Sequence, residues 1–530
     1  MSNPNKVMLI IMDGWGLSPS ELGNAPLLAK TPTLDYIYST YDKTSLQAAG
    51  LEVGLNPGEP GNSEVGHMSI GSGRLVWENM ARIDQNIANG DFFKNELLKK
   101  VFDNAAGDGR TLHLIGLVSD GGVHSHIRHM ISIIEAASHQ KVKKILVHFI
   151  SDGRDVGPKS AESFVAQAET ALDYFKIGRI ATMIGRYFAM DRDTNWDREK
   201  KAFDLFVNNV GQKFVSTEEA IKANYKKGKT DEFFEPAVIG EGGIIKEHDS
   251  VIFFNHRSDR MRQLLSLFEG KNSPSTLLRA GARPPQNLVM ATMTIYDKNQ
   301  STSALFAQSE MKNTLTDCLS EHDLSQFHTA ETEKFAHVTY FFRGGEEEAA
   351  EGEKDKLVPS KKVSSYDKVP MMSAEEVTTV LSGALKSNYN FIVVNYANGD
   401  MVGHSGVLNA TIHACEEVDH CLARLLPVAS DNGYKVFITA DHGNCEHMIN
   451  DKTKEPDKEH TANPVPFLYL DLIAKPFLPV KTEFSKKDYL IFCSATPIGV
   501  LADVAPTIIA NLGLKKPSEM DGMDLTMAMG

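Results

Sequence analysis

At 530 residues, 42% of them apolar and 23% charged, the chain can bury sizeable cores and is too long for one, so two or more domains are expected. Its 55 Lys and Arg against 69 Asp and Glu leave a formal net charge of −14 at pH 7, which argues against non-specific nucleic-acid or anionic-membrane binding. Five cysteines (Cys318, Cys415, Cys421, Cys445, Cys493) form no C-x-x-C pair, no apolar run approaches the ~18 residues of a membrane span, and no export signal is visible, so a reducing, cytoplasmic setting is expected.

The first predicted strand, Val7–Met12, stops at Asp13. A glycine-rich run over residues 54–73 then carries Ser63 at the point where loop should become helix. A serine there fits a helix N-cap; next to a bound cation, which lowers its hydroxyl pKa, it also fits a nucleophile. No G-x-S-x-G elbow or Walker A run occurs, and Gly14-Trp-Gly16 lacks the third glycine of a dinucleotide fingerprint, so an esterase triad and nucleotide binding are disfavoured.

Residues 111–192 alternate strand and helix: Leu112–Val118, Ile127–Ala137, Ile145–Ile150, Ala161–Phe175, Ile180–Ile184. Continuous apolar strands between helices with a 3.6-residue apolar period predict a parallel α/β sheet. Further strands are expected at Val251–Phe254 and Leu288–Ile295, followed by a polar, turn-like linker at Asp297–Ser303. His124, Arg154, Asp155, Arg186, Arg192, Arg257 and Arg260 follow the ends of these strands, where ligands of open parallel sheets bind. Each loop arginine alone fits a solvated charge, whereas the group fits a crevice for carboxylate or phosphate.

A second α/β rhythm follows. The acidic stretch Glu346–Lys356 reads as a solvated loop, and helix Ala374–Leu385 opens on an apparent Ser373-x-x-Glu376 capping box. Strand Phe391–Tyr396 precedes Asp400-Met-Val-Gly-His404, helix Ile412–Leu426 carries an apolar stripe, and strand Lys435–Ala440 stops at Asp441-His442. Asp13, Asp400, His404, Asp441, His442 and His460 together read as a divalent-metal site of the Zn, Mn, Co or Fe type. Carboxylates from distant parts of a chain repel by about 4 kcal/mol per pair at 4 Å and an effective dielectric near 20, and cations make such clustering tolerable. Asp13 must meet Asp400 and Asp441, so the N-terminal strand belongs with the C-terminal third. The domains are therefore expected to be 1–76 with 312–530, and an inserted 77–311.

The motifs Ile11-Met-Asp13-Gly-Trp-Gly, Gly61-Asn-Ser63-Glu-Val-Gly-His, Ser151-Asp-Gly-Arg154-Asp155, Glu331-Thr-Glu-Lys334-Phe-Ala-His-Val-Thr, Asn398-Gly-Asp400-Met-Val-Gly-His404 and Thr439-Ala-Asp441-His442-Gly-Asn span nearly the whole chain. Together they resemble the cofactor-independent phosphoglycerate mutases of the alkaline phosphatase-like superfamily. The resemblance implies a phosphatase-like domain formed by both termini, an inserted transferase domain, and two divalent cations, usually manganese, with cobalt, magnesium or zinc as alternatives. Asp400, His404 and His460 would hold one cation and Asp13, Ser63, Asp441 and His442 the other. His124, Arg154, Asp155, Arg186, Arg192, Arg257, Arg260 and Lys334 match substrate-binding positions. The implied activity is interconversion of 3- and 2-phosphoglycerate in glycolysis and gluconeogenesis, by a monomer, through phosphoserine at Ser63, with Asp155 as acid or base. A related metal-dependent phosphomutase or phosphatase is the alternative, and it would lack the arginine-rich middle domain. Two departures stand out: His256 and Ser258 replace the phenylalanine and alanine typical of the family, and His447 is an additional histidine.

Overall fold

The computed structural model describes residues 5–270, 283–307, 311–478 and 485–529. The chain divides into two compact units, Met1–Glu78 with Glu310–Gly530, and Asn79–Ser309.

Strands β1 (Lys6–Met12) and β2 (Asp42–Gln47) precede the inserted unit, which contains β3 (Leu112–Leu117), β4 (Ile145–Ser151), β5 (Gly178–Gly185), β6 (Gln212–Phe214), β7 (Ala237–Ile239), β8 (Ser250–Phe253), β9 (Val289–Thr294) and β10 (Ser303–Phe306). The chain then adds β11 (Gln326–Glu331), β12 (Glu353–Val358), β13 (Phe391–Tyr396), β14 (Tyr434–Thr439), β15 (Val465–Asp471) and β16 (Gly499–Val500).

The sheet of the first unit runs β12-β11-β13-β1-β14-β15-β2-β16. Its centre is parallel, because β1, β13 and β14 are apolar on both faces and helices cover both. Among the described residues only β15 opposes its neighbours, β14 and β2. Register determines where the acidic residues emerge: Met12 pairs with Tyr396 and Ile11 with Thr439, so Asp13, the Asn398–Gly403 helix bearing Asp400, and Asp441 leave the sheet at one carboxyl edge. Helix Ser63–Ser72 is capped by Asn62, whose side chain accepts from Val65 N at 3.0 Å. Ser63 is therefore the first helical residue and not the cap, and its hydroxyl is left for other partners.

The inserted unit's sheet runs β10-β9-β8-β3-β4-β5-β7-β6, parallel except where β7 opposes β5. Alternate residues feed two cores: Leu112, Leu114, Ile145 and Val147 meet helices Ile127–His139 and Ala161–Phe175, while Ile115, Leu117 and Ile150 meet Trp196–Asn208 and Arg262–Glu269.

Three local expectations are corrected. Asp297–Ser303 is not a linker but the turn into β10, which pairs in parallel with β9 inside the same unit. Residues 353–356 of the acidic stretch belong to edge strand β12, and the buried Glu353 carboxylate accepts from Arg343 Nε at 2.9 Å. The Ser373 side chain makes no capping bond, because its hydroxyl donates to Pro359 O at 2.9 Å.

Candidate active site

In the first unit, three buried carboxylates gather around one buried ammonium. Lys334, on helix Thr332–Ala336, places Nζ 2.7 Å from Asp13 Oδ1, 2.6 Å from Asp400 Oδ2 and 2.7 Å from Ser63 Oγ. Ser63 Oγ is also 2.9 Å from His442 Nε2 and 3.3 Å from Asp13 Oδ1. Burial pushes the Asp13 carboxyl up, helped by the nearby Asp441. Burial acts the same way on Asp400 and Asp441, yet both end well below the usual range because Lys334 acts on the first, and His442 and His67 on the second. Lys334 is raised: burial opposes its charge, and Asp13, Asp400 and Asp441 outweigh that.

Close approach is built into the glycines. A Cβ on Gly66 would lie 2.6 Å from Asp441 O, and one on Gly14 would lie 2.8 Å from Asp400 Cα. Gly14 also has φ +70°, a conformation that favours glycine.

The histidines define what the cluster can accept. His404 Nδ1 lies 2.8 Å from Lys458 O and His460 Nδ1 2.8 Å from Gly61 O, so in the neutral rings the proton belongs on Nδ1. Their Nε2 atoms, 3.0 Å apart, then turn lone pairs toward Asp400 Oδ1 at 3.2 and 3.1 Å. Asp400 Oδ1 and Asp441 Oδ2 are buried and make no hydrogen bond of good geometry among the described residues. One ammonium against three carboxylates leaves negative charge uncompensated. Converging imidazole lone pairs, orphaned carboxylate oxygens and that surplus charge fit divalent cations. Ligand atoms of Asp400, His442 and His460 lie within 4.8 Å of one another, as do those of Asp13, His67 and Asp441. His447 instead lies 3.4 Å from Asp451 and 3.6 Å from Asp457.

In the inserted unit, Asp152 is the anchor that the sequence reading did not single out. Buried at the end of β4, it accepts from Ser119 Oγ at 2.6 Å, Arg186 Nη1 at 2.7 Å, and the amides of Arg154 and Asp155 at 3.1 and 3.0 Å. Arg186 also donates to Asp155 Oδ2 at 2.5 Å. Burial would weaken the Arg186 charge, but these two carboxylates outweigh it and raise its pKa. Asp259 gathers a second set: Arg192 Nη1 at 3.0 Å, Arg257 Nε at 3.2 Å and His124 Nδ1 at 3.6 Å. His124 is held down to about 4 by burial and by Arg186, so it is neutral at pH 7. Burial lowers Arg260, and the charges of Arg192, Arg186 and Arg154 lower it further, which marks the arginines as converging. Arg260 donates to Met190 O at 3.0 Å, and Arg154 is half exposed with Glu232 at 3.9 Å. His256 N donates to His124 O at 2.9 Å, and its Nε2 lies 3.0 Å from Gly122 O, so this departure ties down the His124 loop. Asp13, Ser63, Lys334, Asp400, His404, Asp441, His442 and His460 thus lie in the first unit's cluster, and His124, Arg154, Asp155, Arg186, Arg192, Arg257 and Arg260 lie at strand ends of the inserted unit around Asp152 and Asp259.

These two α/β units describe an enzyme with a cation-seeking serine centre in one and an anion-seeking arginine set in the other. The family model for the N-terminal part of bisphosphoglycerate-independent phosphoglycerate mutases matches residues 83–298. A 2,3-bisphosphoglycerate-independent phosphoglycerate mutase of Thermomicrobium roseum is 45% identical over 535 residues, covering 100% of this chain and 99% of the relative. Its counterpart in Clostridium novyi is 44% identical over 525 residues, covering 98% and 99%. The crystal structure of Leishmania mexicana phosphoglycerate mutase at low cobalt concentration superposes with a TM-score of 0.64 at 31% identity, covering 98% of this chain and 97% of that one. The chain belongs to the 2,3-bisphosphoglycerate-independent phosphoglycerate mutase family, whose members are isomerases. Among the described residues no helix is long and apolar enough to cross a membrane.

Proposed function

We propose that this chain interconverts 3-phosphoglycerate and 2-phosphoglycerate, a step of glycolysis and gluconeogenesis, through a phosphoserine at Ser63 and without 2,3-bisphosphoglycerate. The setting of Ser63 supports this best: its Oγ lies 2.7 Å from an ammonium and 2.9 Å from an imidazole nitrogen in a buried carboxylate cluster. Two divalent cations fit the donor set, one on Asp400, His404 and His460 and one on Asp13, Ser63, Asp441 and His442. Manganese is our first choice, with cobalt, magnesium or zinc as alternatives; cobalt is named for the Leishmania mexicana relative. When bound, the cations would neutralise the carboxylates and lower the pKa of the serine hydroxyl.

The side chains perform the rest. Ser63 Oγ, its proton lost to solvent, bonds to phosphorus as the ester bond to the C3 oxygen breaks. Lys334 stabilises negative charge at the attacking oxygen. The C3 oxygen released takes a proton from the Asp155 carboxyl, held by Arg186, and the C2 hydroxyl gives one back to Asp155 as it attacks. Arg154 with Arg186 or Arg192 grips the carboxylate, while His124, Arg257 and Arg260 bind the remaining oxygens. The phosphoryl group then returns to the C2 oxygen, restoring Ser63. Glycerate lost to water would turn the reaction into hydrolysis, and holding it is worth effective molarities of about 10⁵ M or more in favourable cases. We place this activity in a cytoplasmic monomer acting on small-molecule phosphoglycerates.

The test is an assay of 2- and 3-phosphoglycerate interconversion without 2,3-bisphosphoglycerate, with and without EDTA and Mn²⁺. Turnover should require Mn²⁺, stop on chelation, and be abolished in Ser63→Ala at full metal loading. Undiminished turnover by that variant in Mn²⁺-replete buffer removes Ser63 from the reaction. Release of inorganic phosphate in place of the isomer would favour a phosphatase.

A further inference from the structure

His67 and Asn395 are fully buried beside the carboxylates and have no role in the reaction as proposed. His67 stands one turn after Ser63 on helix Ser63–Ser72, and Asn395 is the penultimate residue of β13, opposite Ile11 of β1. The Asn395 amide nitrogen is 2.6 Å from Asp13 Oδ2 and 2.9 Å from His67 Nε2. An amide nitrogen only donates, so one hydrogen goes to the carboxylate and the other to the imidazole. Turning the amide over would set its carbonyl oxygen against the Asp13 carboxylate. His67 Nε2 is therefore an acceptor, and the ring's proton sits on Nδ1, 2.9 Å from the Ser63 carbonyl oxygen and 3.2 Å from Asp441 Oδ2. Both ring nitrogens are engaged. His67 is thus not itself a cation ligand, although a ligand atom of its ring lies within 4.8 Å of those of Asp13 and Asp441.

We infer that His67 and Asn395 form a positioning pair that sets the angle between Ser63 Oγ and the cation-facing carboxylate oxygens, an inference that rests on the proposed cation and phosphoserine chemistry. The pair acts by subtraction. Asn395 occupies Asp13 Oδ2, which leaves Oδ1 for Ser63 and Lys334. The amides of Gly14 and His442 occupy Asp441 Oδ1 at 3.2 and 3.1 Å, which leaves Oδ2 inward, and His67 Nδ1, bonded to the Ser63 carbonyl, stands 3.2 Å from it. One imidazole and one amide thereby couple β1, β13, the serine helix and the Asp441 turn. Neutral donors that fix ligand orientation from outside commonly govern metal affinity.

The full-length protein, stripped of metal and titrated with Mn²⁺ by calorimetry and manganese EPR, tests this alongside steady-state kinetics. Asn395→Ala and His67→Leu should weaken Mn²⁺ binding about 10–100-fold. They should also lower kcat at saturating Mn²⁺ while leaving KM for 3-phosphoglycerate nearly unchanged, because the arginine set is untouched. His67→Gln, whose side-chain oxygen can accept the Asn395 hydrogen, should retain more Mn²⁺ affinity and turnover than His67→Leu. The thermal midpoint of each metal-free variant identifies a folding failure; should Asn395→Ala fail, the contrast between Gln and Leu decides. Wild-type Mn²⁺ affinity and kcat in Asn395→Ala, or equal losses in His67→Gln and His67→Leu, would overturn the positioning role. A wild-type protein that binds no Mn²⁺, or shows no mutase activity with it, would instead overturn the underlying reading.

Discussion

Arg186 and Arg257 carry the same guanidinium but are placed for different work. Arg186 is 3% exposed and bonded to Asp152 and Asp155, whereas Arg257 is 51% exposed and, among the described residues, pairs only with Asp259, at 3.2 Å. An exposed arginine held by one partner is available to a ligand, so Arg257→Ala should raise KM about tenfold, the equivalent of one charge-assisted hydrogen bond of about 1.5 kcal/mol. Bound metal should be unchanged in that variant, and metal content falling in step with activity would contradict its placement in the anion set. Removing Arg186 should cost more, about 2–5 kcal/mol in stability and substrate use together, because Asp152 and Asp155 would be left without their cation. Chemical denaturation and kcat/KM on Arg186→Ala measure both. The arginines were readable in the sequence because each follows an apolar strand. Asp152 was not, since an aspartate after a strand is an ordinary turn former, and only folding brings Ser119, Arg186 and two amides to it. The same holds for Asn395, whose side chain looks like one polar interruption in an apolar run until β1 sets Asp13 beside it.

Helix Ser63–Ser72 shows how an element delivers the nucleophile. Asn62 takes the cap, Ser63 faces the cluster, and Gly66 lets the helix touch the Asp441 backbone. Helix propensity alone predicts that Gly66→Ala stabilises by about 1 kcal/mol. The contact predicts the opposite, because a Cβ 2.6 Å from a backbone oxygen and 2.9 Å from the Asp441 Cβ has no flexible neighbour to displace. Overpacking of this kind costs about 1–3 kcal/mol, so the contact wins. Gly66→Ala should lower the thermal midpoint and weaken Mn²⁺ binding, and a raised midpoint would show that the helix moves freely against the turn. Elements were readable in proportion to their apolar pattern. β1, β13 and β14 are continuous apolar runs, and their pairing followed from the need to unite Asp13 with Asp400 and Asp441. β12 was hidden, because an edge strand of Glu, Lys and Asp has the composition of a solvated loop. Ser373 matched a capping pattern, but tertiary structure offered its hydroxyl the Pro359 carbonyl instead.

Across the molecule, the two units differ in how they hold protons. In the inserted unit, burial pushes His148 well below its ordinary range and lowers His113, while His256, His124 and His126 come to about 3, 4 and 4. His113 and His148 are hydrogen-bonded to each other at 2.9 Å inside the sheet, with Asp249 at one end and Thr182 at the other. The first unit has His328 and His337 lowered to about 4 and 3, but its His404 and His460 are raised by Asp400, which opposes them. A histidine lowered by folding stays neutral in the folded state while the unfolded chain takes up a proton near pH 6.5, so its contribution is complete above that pH and shrinks as pH falls. For His256, lowered to about 3, the loss between pH 6.5 and pH 5 is about 2 kcal/mol. The inserted unit should therefore loosen first in acid. Limited proteolysis at pH 7.0 and 5.0 should show cuts appearing within residues 79–309 before the rest of the chain, and His256→Phe should flatten the pH dependence of unfolding by close to one proton. Acid cuts that begin in the first unit, or an unaltered pH dependence in His256→Phe, would show that these buried imidazoles do not set the molecule's acid limit.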